Sequence, residues 1–212
     1  MIRFVPSSDI PVEELKDYSL FNTEIDGRDF RMEITPIGDF KMCYGDSALS
    51  SFKLKLPPLP TWVHFICFFF FKEICNLYNT EAALQLFWND EEKKYFLYLP
   101  KQQVGHAWVN FERDYLLESQ YWLVADIHSH GSIPTFFSSV DDADELGTRI
   151  FSVYGNLLEN RPSCLWRAGS GGLFAPLEKD VLFSQDDEVC LSEVNEIVGR
   201  LLNEVSDKFL NL

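Results

Sequence analysis

The sequence predicts an α/β (α+β) protein with a mixed central β-sheet flanked by helices and a small β-rich annex at the N-terminus. Short runs that alternate apolar and polar residues are concentrated in residues 1–56. Beyond residue 60, apolar runs of strand length alternate with helical patterns. The stretch PPLP at 57–60 separates the two regions, because prolines interrupt regular structure. We therefore divide the chain into an annex, residues 1–56, and a main domain, residues 57–212.

Composition restricts the class of protein and its partners. The 212 residues are 46% apolar, which is ample for a hydrophobic core. The formal net charge is −15, so we expect no nucleic-acid partner and no anionic membrane surface as a partner. The five cysteines are odd in number and form no CxxC pair, and no signal peptide precedes them. We expect reduced, mostly buried thiols in a cytoplasmic protein.

The annex and the first helix follow from local patterns. Three strands are predicted in the annex, at FRMEI (30–34), DFKMCY (39–44) and SFKLKL (51–56). The very apolar stretch TWVHFICFFFF (61–71) is too short to cross a membrane, which requires about 20 residues. It instead predicts a helix capped by Thr61, running to about Asn79 and buried on most sides.

The remaining elements are predicted from apolar runs and their periodicity. Strands are expected at 81–88, 95–100, 106–111, 121–128, 163–168, 172–177 and 180–183. Helices are expected at 112–120 and 139–160, the latter opening with a Ser or Asp cap and acidic residues in its first turn. An apolar stripe of helical period from Val189 to Phe209 predicts a C-terminal amphipathic helix.

A pair of histidines stands at the end of the run 121–128. His128 and His130 are two residues apart, so on a strand both side chains point to the same face. Such a pair is by itself common at strand ends. Here the sequence continues with seven residues, then Ser138, two more residues and Asp141. A strand would supply two nitrogen ligands and the next helix one carboxylate, and three protein ligands plus water make up a catalytic zinc site.

The segment HSHGSIPTFFSSVD resembles the signature of the JAMM metalloproteases, also called the JAB or MPN-plus domain, in their prokaryotic form. That signature is His-Ser/Thr-His, seven residues, Ser, two residues and Asp, and it matches at full spacing. The resemblance covers roughly residues 60–183. It implies a JAMM/MPN-like fold, similar to that of cytidine deaminases, and a Zn²⁺ ion held by His128, His130 and Asp141. It also implies that Ser138 stabilises an oxyanion.

The resemblance further requires a glutamate upstream as general base, at the start of a strand that follows a long helix. Glu81, in NTEAALQLFW, has this position, and Glu73 within the apolar helix is its rival. Two positions depart from the family pattern. Leu84 stands where many members have Gly, and Gly131 stands where Pro usually follows the second histidine, which could loosen the loop.

Other polar residues near the motif need an interpretation. Family spacing selects Ser138 and Asp141 from their doubled neighbours, so Asp142 and Asp144 are interpreted as helix-start charges. His64, in the apolar helix, is interpreted as a core or interface residue. His106 begins a predicted strand, and nothing in its spacing requires it in the site.

Similarity to the family implies cleavage of peptide or isopeptide bonds next to ubiquitin or ubiquitin-like tails. Bacterial relatives often accompany E1-like and E2-like proteins or process sulfur carriers. Three alternatives remain open: a catalytically silent scaffold of the same fold, a protein-binding module with structural zinc, and an amidohydrolase-type enzyme. The last needs a barrel of about 250 residues and further histidines, whereas none follows His130.

Overall fold

A computed structural model describes residues 19–185 and 188–211 of the chain. Within these ranges the protein is a mixed α and β structure with three β-sheets and five α-helices, in agreement with the predicted class. The first 18 residues of the predicted annex lie outside the described part. None of the helices in the described ranges is long and apolar enough to cross a membrane.

Four antiparallel strands in sequence order form a separate N-terminal sheet. They are β1 (Ser19–Ile25), β2 (Arg28–Ile34), β3 (Gly38–Cys43) and β4 (Ser51–Leu54). The sequence predicts the last three, but β1 was missed because its residues SLFNTEI give no clean alternation. Asp26 and Gly27, both at positive φ, form the two-residue turn between β1 and β2, and this Asp-Gly pair was an available hairpin signal.

A six-stranded sheet forms the centre of the molecule, and a two-stranded hairpin lies beside it. The strands are β5 (Ala83–Asn89), β6 (Lys94–Tyr98), β7 (Gln102–Gly105), β8 (Trp108–Phe111), β9 (Trp122–Ser129), β10 (Arg149–Gly155), β11 (Ser163–Ser170) and β12 (Leu173–Leu177). The order in the large sheet is β12-β11-β10-β9-β5-β6, and β7 pairs with β8. Only the β9–β10 pair of this sheet is parallel, so the central sheet is mixed, as predicted.

The helices in the described ranges are α1 (Thr61–Tyr78), α2 (Tyr115–Gln120), α3 (Ser139–Asp144), α4 (Lys179–Leu182) and α5 (Leu191–Lys208). Pro60 rather than Thr61 occupies the N-cap of α1, because Thr61 is already helical and its hydroxyl donates to the Ser184 carbonyl at 3.0 Å. The predicted amphipathic C-terminal helix is confirmed as α5. It buries Val194, Val198, Leu201 and Val205.

Two predicted elements are wrong. The helix expected over 139–160 ends at Asp144, and Arg149–Gly155 is instead strand β10 in the middle of the sheet. Nearly every residue of β10 is buried between β9 and β11, so both of its faces are apolar and the strand lacks the alternation expected of a half-exposed one. The strand expected at 180–183 is helix α4, and only Phe183 forms an isolated bridge, with Leu59.

The main hydrophobic core lies on one face of the central sheet. On one face, alternate side chains of β5, β9 and β10 pack against α1 and α5 to form the main core, with Leu86, Ile127 and Tyr154 among the buried residues. The N-terminal sheet extends this layer, because Phe40 and Met42 pack on Ala168 of β11 and Ala175 of the edge strand β12. Four of the five cysteines are buried and all five are free, which confirms the expectation of mostly buried thiols.

Candidate metal centre

The end of strand β9 presents two imidazoles on the face of the sheet opposite α1. His128 is half-buried and His130 is buried. Because they are two residues apart, their side chains lie on the same face, and their Nε2 atoms are 3.2 Å apart. Two ring nitrogens at this distance can share a hydrogen bond, and the same arrangement allows them to bind one cation together.

The loop after His130 is fixed to the end of the neighbouring strand β10. The His130 amide donates to the Tyr154 carbonyl at 2.7 Å, and the Leu157 amide donates to the Gly131 carbonyl at 3.0 Å. Gly131 has a φ of +57°, in the left-handed region. A proline at this position would need φ near −65°, which differs from the φ of Gly131. Gly131 thus meets a specific backbone requirement and does not merely loosen the loop.

Helix α3 brings a carboxylate back to the histidines. Ser138 is its N-cap, and a capping box joins it to Asp141. The Asp141 amide donates to Ser138 Oγ at 3.2 Å, and the Ser138 amide donates to Asp141 Oδ2 at 2.5 Å. The capping box holds the carboxylate so that Asp141 Oδ1 lies 3.3 Å from His128 Nε2 and Oδ2 lies 3.8 Å from His130 Nε2.

His128, His130 and Asp141, here called the metal triad, have the geometry to hold a metal ion. Their ligand atoms all lie within 4.8 Å of one another. Tetrahedral zinc with bonds of about 2.0–2.1 Å places its ligand atoms about 3.3 Å apart, and the observed separations of 3.2, 3.3 and 3.8 Å are close to this spacing. The neighbouring acidic residues Asp142 and Asp144 are exposed and do not belong to the group.

The electrostatic environment favours the ligand forms of these side chains. Burial, followed by the adjacent His128, lowers the pKa of His130, so its imidazole is neutral and can bind a cation. Burial alone would raise the pKa of Asp141. Hydrogen bonding and charge from His128, together with hydrogen bonds from Ser138, nevertheless hold the pKa of Asp141 below its usual range.

Glu81 faces the metal triad from the neighbouring strand. Ala83 pairs with His128 in the antiparallel register, and the Ser129 amide donates to the Ala82 carbonyl at 2.9 Å. Continuing this register by two residues places Glu81 opposite His130, and directly opposed residues point to the same face. Glu81 is only 5% exposed, and burial, followed by the Asp141 carboxylate, raises its pKa to about 8. The rival Glu73 is exposed on α1.

A row of polar side chains continues from the metal triad along the same face, and sequence reasoning missed it. Asp126 accepts hydrogen bonds from Gln85 Nε2 at 2.9 Å and from Arg149 Nη1 at 3.0 Å. Asp126 lies two residues before His128 on the same strand and so faces the same side of the sheet. Its carboxylate is already bound to Gln85 and Arg149 rather than directed at the metal triad. That shared face was the one signal in the sequence that pointed to Asp126.

The remaining histidines lie elsewhere. His64 Nδ1 is 2.8 Å from the Tyr154 hydroxyl, and burial lowers the pKa of His64 to about 4. His106 is exposed, and its Nδ1 is 3.3 Å from the Asn79 carbonyl. An aromatic residue that the sequence did not single out, Phe136, packs edge-on against His130 at 4.9 Å between ring centroids and is 47% exposed.

A cavity of 630 Å³ borders helix α3. Phe137, Asp142 and Arg167 line it on one side, and residues at the end of β3 and in the turn after it close the other. None of the metal triad lines this cavity. It therefore neighbours the candidate metal centre without containing it.

Comparison with known proteins adds no further identification: no known family model and no curated protein matches the chain. The interpretation of the metal centre rests on the spacing of the motif and on the geometry around it. The motif occupies 14 consecutive residues, whereas Glu81 comes from a separate segment of the chain, just before strand β5.

Proposed function

We propose that this protein is a zinc-dependent metallo-(iso)peptidase of the JAMM type, with a JAMM/MPN-like fold, that hydrolyses peptide or isopeptide bonds next to ubiquitin-like tails. One observation carries the proposal. Two imidazole nitrogens and a carboxylate oxygen converge at one point, with a buried glutamate of raised pKa facing them. This combination supports catalysis better than it supports a closed structural metal site.

The choice of zinc follows from the ligand set. Two histidines and one carboxylate are the protein ligands of several hydrolytic zinc enzymes, which leave one coordination position for water or substrate. A structural zinc site is closed by four protein ligands, often cysteines. All five cysteines lie outside the group formed by the metal triad, which supports an open site.

The roles of the protein side chains follow from their chemistry. Bound zinc would lower the pKa of a water molecule and polarise the substrate carbonyl. Glu81 would accept the proton of the attacking water and return it to the departing amine, because the charge of bound zinc would offset the burial that raises the pKa of Glu81 in the metal-free protein. Ser138 Oγ accepts from the Asp141 amide, and its hydroxyl hydrogen, which can donate to the Asp141 carboxylate in the metal-free protein, would turn to the developing oxyanion.

The substrate class comes from the resemblance of the motif to the JAMM family. A ubiquitin-like protein would present its C-terminal tail to the metal centre, and E1-like or E2-like proteins are the expected further partners. The formal net charge of −15 favours a neutral or basic protein over an acidic one.

A catalytically silent scaffold of the same fold is the second candidate function. A scaffold would need neither the metal triad nor a buried Glu81. Burying an ionisable side chain is energetically unfavourable, so a buried Glu81 is better explained by a catalytic role. Metal content alone does not separate the two candidates, so the test also measures hydrolysis.

The test of the proposed function combines metal analysis with a cleavage assay. Purified protein is expected to carry about one Zn²⁺ per chain and to cleave a ubiquitin-like tail fused to a reporter. The His128→Ala/His130→Ala double variant should lose both, because it removes two ligands of three. His106→Ala is the matched control, since His106 is exposed and outside the triad. Full zinc in the double variant would overturn the assignment, and zinc without cleavage of any tail would favour the scaffold.

A further inference from the structure

Arg167, on strand β11, contacts residues in the middle and at the C-terminal end of the short helix that carries Asp141. Its Nη1 lies 2.6 Å from Oδ1 of Asp142, the residue after the ligand. Its Nε and Nη2 donate to Glu145 Oε2 at 2.8 and 2.6 Å, and Glu145 is the C-cap of α3. One guanidinium group therefore binds two carboxylates on consecutive turns of the helix.

Two aromatic rings hold the same guanidinium group in place. Its central carbon lies 3.7 Å from the ring centroid of Phe137 and 3.6 Å from that of Phe174. Phe137 directly precedes Ser138, the N-cap of α3, whereas Phe174 belongs to strand β12. Arg167 is 7% exposed, so the group is fixed by packing as well as by its ion pairs.

Helix α3 has few other means of holding its position. It is six residues long, and none of its residues is buried. Isolated helices shorter than about 12–15 residues are marginal in water, so α3 depends on contacts with the rest of the protein. The capping box between Ser138 and Asp141 shapes the first turn but does not connect it to the sheet.

We propose that Arg167 is a positioning residue that connects α3 to the central sheet and so holds the Asp141 carboxylate opposite His128 and His130. This inference rests on the proposed metal-binding function. Arg167 itself touches neither the metal triad nor Glu81 and acts through Asp142, Glu145 and Phe137. Its effect is on the geometry and affinity of the metal centre.

The direction in which metal affinity changes distinguishes a positioning role of Arg167 from a purely electrostatic one. A cation beside the metal centre repels a second cation, so removing the charge of Arg167 would by itself strengthen metal binding. Loss of positioning would weaken it. Arg167→Lys keeps the charge but cannot form the planar fork that binds both carboxylates, so it isolates the geometric effect.

The test measures Zn²⁺ affinity by competition with a chelator, together with the absorption bands of Co²⁺, in the full-length protein. Arg167→Lys and Arg167→Met are expected to bind Zn²⁺ about 10-fold or more weakly than wild type, the usual loss when residues behind the ligands are changed. The Co²⁺ bands should shift, because one ligand has moved. Arg31→Met is the matched control. It also removes an arginine that bonds to other side chains, but those are Ser170 and Glu33 and not residues of α3.

A second pair of variants applies if replacing Arg167 prevents folding. Asp142→Asn and Asp144→Asn each remove one exposed negative charge from α3, but only Asp142 binds Arg167. Weaker Zn²⁺ binding by Asp142→Asn than by Asp144→Asn is the expected result. Equal affinities for these two, or wild-type affinity and Co²⁺ bands in the Arg167 variants, would overturn the inference and leave the proposed function intact. A wild-type protein that binds neither ion would overturn both.

Discussion

Glu81 occupies a position where an ionised carboxylate is unfavourable. Burial, followed by the nearby Asp141, raises its pKa to about 8, whereas in the unfolded chain it returns to the ordinary value near 4.5. Between these two pH values the folded protein binds the extra proton and the unfolded chain does not. The contribution of Glu81 to the stability of the metal-free protein therefore falls as pH rises from about 4.5 to about 8.

Glu81→Gln is expected to stabilise the metal-free protein at alkaline pH and to leave its stability unchanged below pH 4.5. Glutamine resembles the protonated acid, so the gain should appear through this pH window and reach the order of a few kcal/mol. Thermal unfolding of both proteins in chelator at several pH values measures it. Glu73→Gln, at an exposed position, should show no such gain, and an equal gain at acid and alkaline pH would contradict the prediction.

The same Glu81→Gln variant tests the role of Glu81 in catalysis. It is expected to retain zinc while hydrolysis falls by about 10²–10⁴-fold, the usual contribution of a general base. Zinc content and the rate of reporter release should be measured on the same preparation. Glu73→Gln should cleave at nearly the wild-type rate, and a Glu81→Gln protein that also does so with zinc bound would exclude Glu81 as the base.

At the residue scale, the sequence predicted the site residues that are close together in the chain. His128, His130 and Asp141 lie within 14 consecutive residues, so a motif could indicate their convergence. The residues behind them could not be found in this way. Asp126 meets Gln85, 41 positions away in the chain, and Arg167 meets Asp142, 25 positions away, so neither contact leaves a local pattern.

At the scale of elements, the loop between β9 and α3 depends on the left-handed backbone of Gly131. Gly131→Ala is expected to destabilise the protein by about 1–2 kcal/mol, because a Cβ disfavours positive φ. Gly131→Pro should cost more, since proline fixes φ near −65°.

Urea unfolding of the Gly131 variants measures these changes. Gly199→Ala provides a control of opposite sign. Gly199 lies inside α5 with open space around its Cα, so alanine should stabilise the protein by about 1 kcal/mol. A Gly131→Pro protein as stable as wild type would show that the loop does not depend on a positive φ at residue 131.

The elements themselves were predicted unevenly. The amphipathic helix α5 was found because one of its faces is exposed and the other buried, which produces a helical period. Strand β10 was mistaken for a helix because burial on both faces removes any period, and the acidic start of α3 suggested a helix that would continue. Only the pairing of β10 with β9 and β11 identifies it as a strand.

At the scale of the whole molecule, the N-terminal sheet is held to the central sheet by a small apolar cluster that includes Phe40 and Ala168. A second contact is polar: Ser170 of β11 bonds to Arg31 and Glu33 of β2. Both contacts involve strand β11 or β12 of the central sheet, whereas the metal triad lies at the end of strand β9 and on helix α3. The attachment of the N-terminal sheet and the metal centre are therefore expected to be energetically separate.

Phe40→Ala tests this separation. Phe40 is fully buried, so its truncation is expected to cost about 3–5 kcal/mol of stability. Zn²⁺ affinity should stay within about twofold of wild type, since Phe40 packs on Ala168 and Ala175 and belongs to neither the metal triad nor the contacts of Arg167 with α3. Denaturant unfolding and chelator competition provide the two measurements. A large loss of zinc affinity at full folding would show that the N-terminal sheet supports the metal centre.

The residues of the metal triad lie on two elements that differ in local stability. His128 and His130 stand at the end of a strand in the middle of the sheet, whereas Asp141 stands on a six-residue helix without a buried side chain. Segments with little burial open locally far more often than central strands do. A bound ion would therefore be released in steps: Asp141 would detach first, while the two imidazoles still hold the ion. If an ion is bound, its residence time would then depend on how often α3 opens, and the rate of metal exchange would report local opening of that helix.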